Sequence, residues 1–284
     1  MRASCLMLLL LVSCRTPVPA DRSGGVISLV PSATEILFEL GAGDRLIGVS
    51  DFCTHPSEAL DLPRYGGFLN PSTERIISSG AEAIILVYTA QKLIQACRDT
   101  GMQVVTVKTN NLHDMDAAIT ALGELVDRQA EAATLGSRIH DEIEAVAASV
   151  PQGSSPSVVV IVDRAPDDLK RLFVAGPDSL LDDLLTRVGA RNAFSDAPRM
   201  YPMVSLETIL ARRPDVIIDL RPLERGGAGS FEKAEGLWNE SGILSPQGPI
   251  EAVHVLEATD LTVYGPRLGQ ACRTLARAIH GGTR

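Results

Sequence analysis

One pattern is written twice in this sequence. "NPSTERIISSGAEAII" at residues 70–85 and "MVSLETILARRPDVII" at residues 203–218 align without a gap. Glu74 and Glu207 hold the same place in the two copies, and eleven residues after each comes the second Ile of a pair, Ile85 or Ile218. An aromatic residue stands six positions before each Glu, Phe68 in the first copy and Tyr201 in the second. The offset of 133 residues is far longer than the roughly 20–50-residue period of a solenoid. The duplication therefore points to two similar lobes.

The surrounding pattern says what kind of lobe. "GVISLV" at 25–30 is a short apolar run stopped by Pro31, which reads as a buried strand. "SATEILFELG" follows as a helix, with Ser32 as its cap, Glu35 completing a capping box and Gly41 as its stop. "LIGVS" is the next strand, and the alternation continues through "STERIISSG", "EAIILV", "KLIQACRDTG" and "QVVTV". Strands that alternate with helices imply a parallel sheet.

Beyond residue 112 the apolar spacing becomes helical, at Met115, Ile119, Leu122 and Val126 and again at Leu135, Ile139, Ile143 and Val146. Gly123 or Asp127 can divide this stretch into a short helix and a long one. After the loop "PQGSSPS" the alternation restarts with "VVVIVD" and runs through "SLLDDLLTRVG", "SLETILARR", "DVIIDL", "SFEKAEGLWNES" and "AVHVLE" to a last helix, "PRLGQACRTLARAIHG". The expected fold is α/β: a lobe over 25–124, a linking helix over 125–150, and a lobe over 151–284, with parallel sheets and a ligand cleft between the lobes. With 45% hydrophobic residues, each lobe can have its own core.

Ahead of the first strand, Arg2 and the apolar run 5–12 have the form of a signal peptide over residues 1–13. The run is shorter than the roughly 20 residues that span a bilayer. "LVSC" then ends at Cys14, where a bacterial lipoprotein carries its lipid, and "RTPVPADRSGG" would serve as a tether over 14–24. An ordinary cleaved signal with a chance cysteine is the alternative. Processing removes one positive charge and takes the net charge from −9 to −10, which argues against a nucleic-acid partner. Besides Cys14 the processed chain keeps Cys53, Cys97 and Cys272, enough for one disulfide at most. Cys53 with Cys97 is the pairing open to the first lobe, and sequence does not bring them together.

"VISLVPSATEILFELGAGDRLIGVSDFCTHPSEA" followed by "LPRYGGFLNPSTERI" resembles the substrate-binding proteins of bacterial cobalamin, siderophore and haem importers, and the likeness continues through "LFVAGPDSLLDDLL", "YPMVSLETILARRPDVII" and "YGPRLGQA". Within that group "GVSDFCTHP" and the aromatic-before-Glu arrangement look most similar to the cobalamin-binding members. The resemblance implies two lobes on a rigid helix, a monomer, an extracytoplasmic and lipid-anchored location, and partnership with a permease and its ATPase. It also implies a role for the repeat, since in such proteins one surface Glu on each lobe docks against permease arginines, and Glu74 and Glu207 match those positions. Either Glu could equally be there to favour the helix dipole, at about 0.3–1 kcal/mol.

The aromatics are few, six Phe, four Tyr and one Trp, so their placement is informative. Phe52, Tyr65, Phe68, Phe173, Tyr201 and Tyr264 fall at predicted strand ends or loops, the part of such folds that lines a ligand crevice. The resemblance matches Phe52, Phe68, Phe173 and Tyr201 to ligand contacts, and Tyr264 is expected beside them. Several could instead anchor loops in the lobe cores. Arg267 and Asp260 flank the last cleft loop and could meet polar ligand groups, although Arg267 could also pair locally. Trp238 reads as core.

Cys53 and His55 form a Cys-x-His pair that could touch a metal centre. The plainer reading keeps Cys53 buried or in a disulfide and His55 solvated. The five His are scattered, which disfavours a receptor for bare zinc or manganese. No catalytic residues and no cofactor are expected. The Gly-x-Gly of "GAGDR" follows a helix where a dinucleotide site must follow a strand, and no G-x-S-x-G elbow occurs. Cobalamin is the expected ligand, with a ferric siderophore or haem as the alternative and an extracytoplasmic enzyme as the remote one.

Overall fold

The computed structural model describes residues 24–67, 70–151, 153, 155–221, 229–243 and 250–281. Residues 1–23, which hold the expected signal, Cys14 and most of the expected tether, and Phe68 lie outside the described residues.

The first lobe contains β1 (Val26–Ser28), α1 (Pro31–Glu39), β2 (Leu46–Val49), α2 (Thr73–Ile77), β3 (Ala83–Val87), α3 (Gln91–Asp99) and β4 (Gln103–Val107). Its four strands are all parallel, in the order β2-β1-β3-β4. α1 begins two residues earlier than expected, its cap falling at Val30 rather than Ser32. Pro31 occupies its first turn, where a missing N–H costs nothing, and the cap residue Val30 makes no side-chain bond. The capping box of Ser32 and Glu35 therefore does not form, and Glu35 turns toward the other lobe.

The connection consists of α4 (Leu112–Leu125) and α5 (Gln129–Ser149). Both residues named as possible breaks take part. Asp127 adopts a φ of 56°, and a Cβ on Gly123 would stand 2.5 Å from that of Ala132, so the turn closes only over a glycine. The 21 residues of α5 extend about 31 Å at 1.5 Å per residue.

The second lobe has β5 (Ser157–Arg164), β6 (Leu172–Val174), α6 (Leu180–Arg187), β7 (Arg191–Asn192), β8 (Met203–Val204), α7 (Leu206–Ala211), β9 (Val216–Arg221), α8 (Gly229–Glu240), β10 (Ala252–Glu257), α9 (Thr259–Thr262) and α10 (Leu268–His280). Its sheet runs β10-β9-β5-β6-β8, with β7 paired to β5. β10, β9, β5 and β7 are parallel, whereas β6 is antiparallel to both of its neighbours, β5 and β8. The second sheet is thus mixed, because β6 doubles back from β5 without a helical crossover.

The duplicated segment occupies the same station in both lobes. α2 leads into β3, which lies parallel beside β1, and α7 leads into β9, which lies parallel beside β5. Ile76 and Ile209 are the buried residue of their respective helices.

Inner and outer faces of the lobes pack differently. One continuous cluster joins β1, α1 and α4 through Ala132, Leu135, Ile139, Ile143 and Val146 of α5 to α6 and α10. The separate cores expected for each lobe exist only on the outer faces, around Ile84 and Leu93 in the first and around Ile217 and Trp238 in the second. α10 lies so close on α5 that a Cβ on Gly269 would fall 2.6 Å from the Cβ of Glu142. Apolar burial at roughly 25 cal/mol per Å² thus makes α5 a shared spine rather than a free tether.

Candidate ligand-binding cleft

The carboxyl ends of β1, β3 and β4 and the chain after α9 enclose a cavity of about 160 Å³, lined by Val30, Pro31, Ser32, Val87, Thr109 and Tyr264 among others. Residues from both lobes therefore share one wall. The volume is below the roughly 300–1,000 Å³ of ordinary small-molecule pockets, so a large ligand would need the space above it as well.

On the first lobe, Phe52 stands just past the end of β2 and is 60% exposed. Tyr88, immediately after β3, is 43% exposed, and the Lys108 ammonium lies 5.7 Å from its ring centre. Tyr65 is different: it packs against the outer-face core, with the Arg75 guanidinium 5.2 Å from its ring.

On the second lobe, Phe173 of β6 and Met203 of β8 are directly opposed in the antiparallel register, and both are exposed. Leu172 and Val174, on either side of Phe173, are fully buried, so the period-two alternation of a strand puts Phe173 outside. Tyr201 and Tyr264 meet through their hydroxyls at 3.0 Å. Burial raises both phenols, and the neighbouring Tyr201 adds to the upward push on Tyr264, which sits well above the usual range. Both are neutral near pH 7, and one hydroxyl donates to the other.

Arg267, at the start of α10, reaches across to α1. Its Nε and Nη2 donate to the two Glu35 oxygens at 3.0 and 2.7 Å, and the Glu35 side chain is only 4% exposed. This two-pronged pair crosses between lobes beside Ser32 and Tyr264. The structure thus engages Arg267 in a lobe-to-lobe bond.

A second buried charge pair holds the end of the other sheet. Asp219 Oδ2 on β9 accepts from Arg164 Nε at 3.0 Å and Nη2 at 2.6 Å, and from Trp238 Nε1 at 2.9 Å. Both charged side chains are wholly buried, and Asp219 Oδ1 has no hydrogen-bond partner among the described residues. Arg164 Nη1 donates to the Ala165 carbonyl at 2.9 Å, tying the loop after β5 to the pair. Trp238 is core, as its place on an amphipathic helix suggested.

Glu74 and Glu207 are exposed, each in the first turn of its helix. The Ser205 hydroxyl, with a main-chain N–H, holds the Glu207 carboxyl below the usual range, so it is ionised throughout the neutral region. The helices differ at their starts: Ser205 accepts from the Thr208 N–H at 3.3 Å, while Ser72 makes no capping bond.

Cys53 is fully buried, His55 is exposed, and Cys53, Cys97 and Cys272 are all free. Among the described residues no group of three or more His, Cys, Asp or Glu could hold a metal ion, and no helix is long and apolar enough to cross a membrane.

Sequence reasoning passed over Tyr88, Met203 and the Arg164–Asp219 pair. Tyr88 closes the run "AIILVY" and could have been found as an aromatic at a strand's carboxyl end. Met203 and the ion pair carry no such signal.

The periplasmic binding protein family matches residues 26–230. The chain is 25% identical over 266 residues to the ABC transporter substrate-binding lipoprotein YvrC of Bacillus subtilis (strain 168), covering 91% of this chain and 80% of that protein. It is 27% identical over 225 residues to the vitamin B12-binding protein of Vibrio parahaemolyticus, covering 78% and 79%. Among solved structures, the periplasmic heme-binding protein RhuT from Roseiflexus sp. RS-1 in apo form superposes with a TM-score of 0.74 at 25% identity, over 92% of this chain and 100% of that one. These relatives are binding proteins rather than enzymes, and their two-lobed fold is the one described above. The chain belongs to the periplasmic binding protein family.

Proposed function

We propose that this chain is the substrate-binding component of an ABC importer and that it captures cobalamin or a related corrinoid between its lobes. The observation that supports the ligand most is the set of exposed apolar side chains at the ends of both sheets, Phe52 and Tyr88 on one and Phe173 and Met203 on the other. Large exposed apolar groups gathered in this way mark a binding surface, and flat rings offer area to a macrocycle at little entropic cost. Phe68, Tyr201 and Tyr264 complete the proposed contacts, and Arg267, bonded to Glu35 across the lobes, is proposed to meet polar ligand groups at the same site. The likeness to vitamin B12-binding proteins favours a corrinoid, and the likeness to a heme-binding structure makes haem the competing ligand.

In this reading the lobes are 25–124 and 151–284 on the linking segment 125–150, a lipid on Cys14 holds the protein outside the cytoplasm, and Glu74 and Glu207 meet arginines of the permease, which works with its ATPase. Two carboxylates at matching stations suit a permease with two similar halves, and two-pronged Arg bonds would orient the complex.

Calorimetric titration with cyanocobalamin, with hemin and a ferric siderophore as competitors, tests the ligand. Micromolar or tighter binding of cyanocobalamin is expected, and its absence alongside hemin binding would move the assignment to haem. Glu74→Arg with Glu207→Arg should leave ligand affinity unchanged and abolish uptake in a strain that depends on this protein. Loss of ligand binding in that variant would place the two residues in the cleft and sink the docking role.

A further inference from the structure

The loop carrying Phe52 runs from Ser50 to Pro63 and contains little regular structure beyond one 3-10 turn, Ser57–Asp61. Its mouth is closed by main-chain bonds: the Val49 N–H donates to Pro63 O and the Tyr65 N–H to Val49 O, each at 2.9 Å, and the Asp51 N–H donates to Gly66 O at 3.0 Å. Such a loop leaves many carbonyls without ladder partners. Arg64 donates to three of the loop's carbonyls, two of which also accept a turn bond, Ser50 O from the Cys53 N–H at 3.2 Å and Ala59 O from the Leu62 N–H at 3.4 Å. Its Nη1 donates to Ser50 O at 2.7 Å and to Cys53 O at 2.8 Å, and its Nη2 to Ala59 O at 3.1 Å. Among the described residues no carboxylate pairs with this guanidinium.

The two carbonyls held by the same nitrogen bracket only Asp51 and Phe52. The fully buried Cys53 side chain is fixed as well, with the Thr34 hydroxyl donating to its sulfur at 3.1 Å and the Ser50 hydroxyl sharing a hydrogen bond with it at the same distance. Phe52 is thus an exposed ring on a two-residue arch whose feet are both tied to one guanidinium.

We propose that Arg64 is a positioning residue for the cleft, pre-setting the Phe52 ring for the ligand without touching the ligand itself. The proposal rests on the functional reading above for what Phe52 meets. A planar fork with fixed N–H groups on separate nitrogens suits carbonyls at three places in one loop; a lysine ammonium offers its three N–H groups from one nitrogen on a flexible stem. A loop that is already ordered does not have to be ordered on binding, so affinity should fall when the fork is removed.

The test is a double-mutant cycle in the full chain, with cyanocobalamin and hemin titrated into the wild type, Arg64→Ala, Phe52→Ala and the double variant. Arg64→Ala should weaken binding about tenfold in the wild-type background and less than about twofold when Phe52 is already absent, because coupled residues are non-additive. Arg64→Lys should fall between. Equal losses in both backgrounds, or no loss where Phe52→Ala has one, would overturn the proposal. A 19F label on Phe52 gives a readout independent of any ligand. One sharp line is expected in the wild type and a broadened or split line in Arg64→Ala, with the fold checked by circular dichroism. A wild type that binds neither probe would sink the functional reading, and the 19F line would still decide the loop: an unchanged sharp line in Arg64→Ala overturns the positioning role.

Discussion

In the first lobe a half-buried guanidinium, Arg64, gathers three neutral main-chain carbonyls, whereas in the second a fully buried one, Arg164, is matched against the Asp219 carboxylate. Both tie down a loop at the carboxyl end of a sheet. The difference lies in what remains if the tie is cut. Cutting the first tie leaves only neutral carbonyls behind, whereas removing Asp219 strands a cation in the interior. The first lobe therefore holds its loop with local order, and the second with a charge pair on which its folding depends.

The largest expected effect tests that contrast directly. Asp219→Ala should cost about 3–5 kcal/mol of stability, the usual penalty for breaking a buried pair, measured by urea unfolding. Arg64→Ala should cost clearly less, and equal losses would erase the distinction. Exchanging both Arg164 and Asp219 for apolar residues of similar volume should restore much of the stability.

High pH separates the lobes next. Burial pushes the Cys272 thiol of α10 up to about 11, and it also raises Cys97 of α3. A folded-state pKa above the unfolded one, near 8.5 for a thiol, leaves stability intact below that value and erodes it as pH rises toward the folded pKa. Between about pH 8.5 and 11 Cys272 should account for a loss on the order of 2–3 kcal/mol. Melting curves across that window should flatten more in Cys272→Ala than in Cys97→Ala. The half-buried Tyr201 and Tyr264 phenols, both raised, add a further decline of the same sign above about pH 10. A Cys272→Ala profile as steep as the wild type would show that the thiol is not the cause.

The smallest effect concerns the repeat. Ser205 caps α7 and Ser72 does not cap α2, so Ser205→Ala should cost about 1 kcal/mol and Ser72→Ala a few tenths. Equal costs in chemical denaturation would mean that the two copies are capped alike after all.

Much of the frame was legible because it rests on short-range signals. Apolar runs marked β1, β3, β5 and β9, helical spacing marked α5, and the shared pattern around Ile76 and Ile209 put the two copies at corresponding stations. β6 and β8 were missed: three and two residues long, they are strands only because β6 lies between β5 and β8 and pairs with both. Candidate aromatics fared similarly. Phe52 and Phe173 are exposed at sheet ends, while Tyr65, with the same local signature, packs against the core.

The sequence by itself determined the alternation, the duplication and the family, because residue type and spacing act through neighbours a few positions away. Only the tertiary structure decided the partners: Glu35 with Arg267 across 232 residues, Tyr201 with Tyr264 across 63, and Arg164 with Asp219 across 55. A charged or hydroxyl side chain has several possible partners of equal chemistry, and which one it meets depends on how the sheets and α5 bring distant segments together.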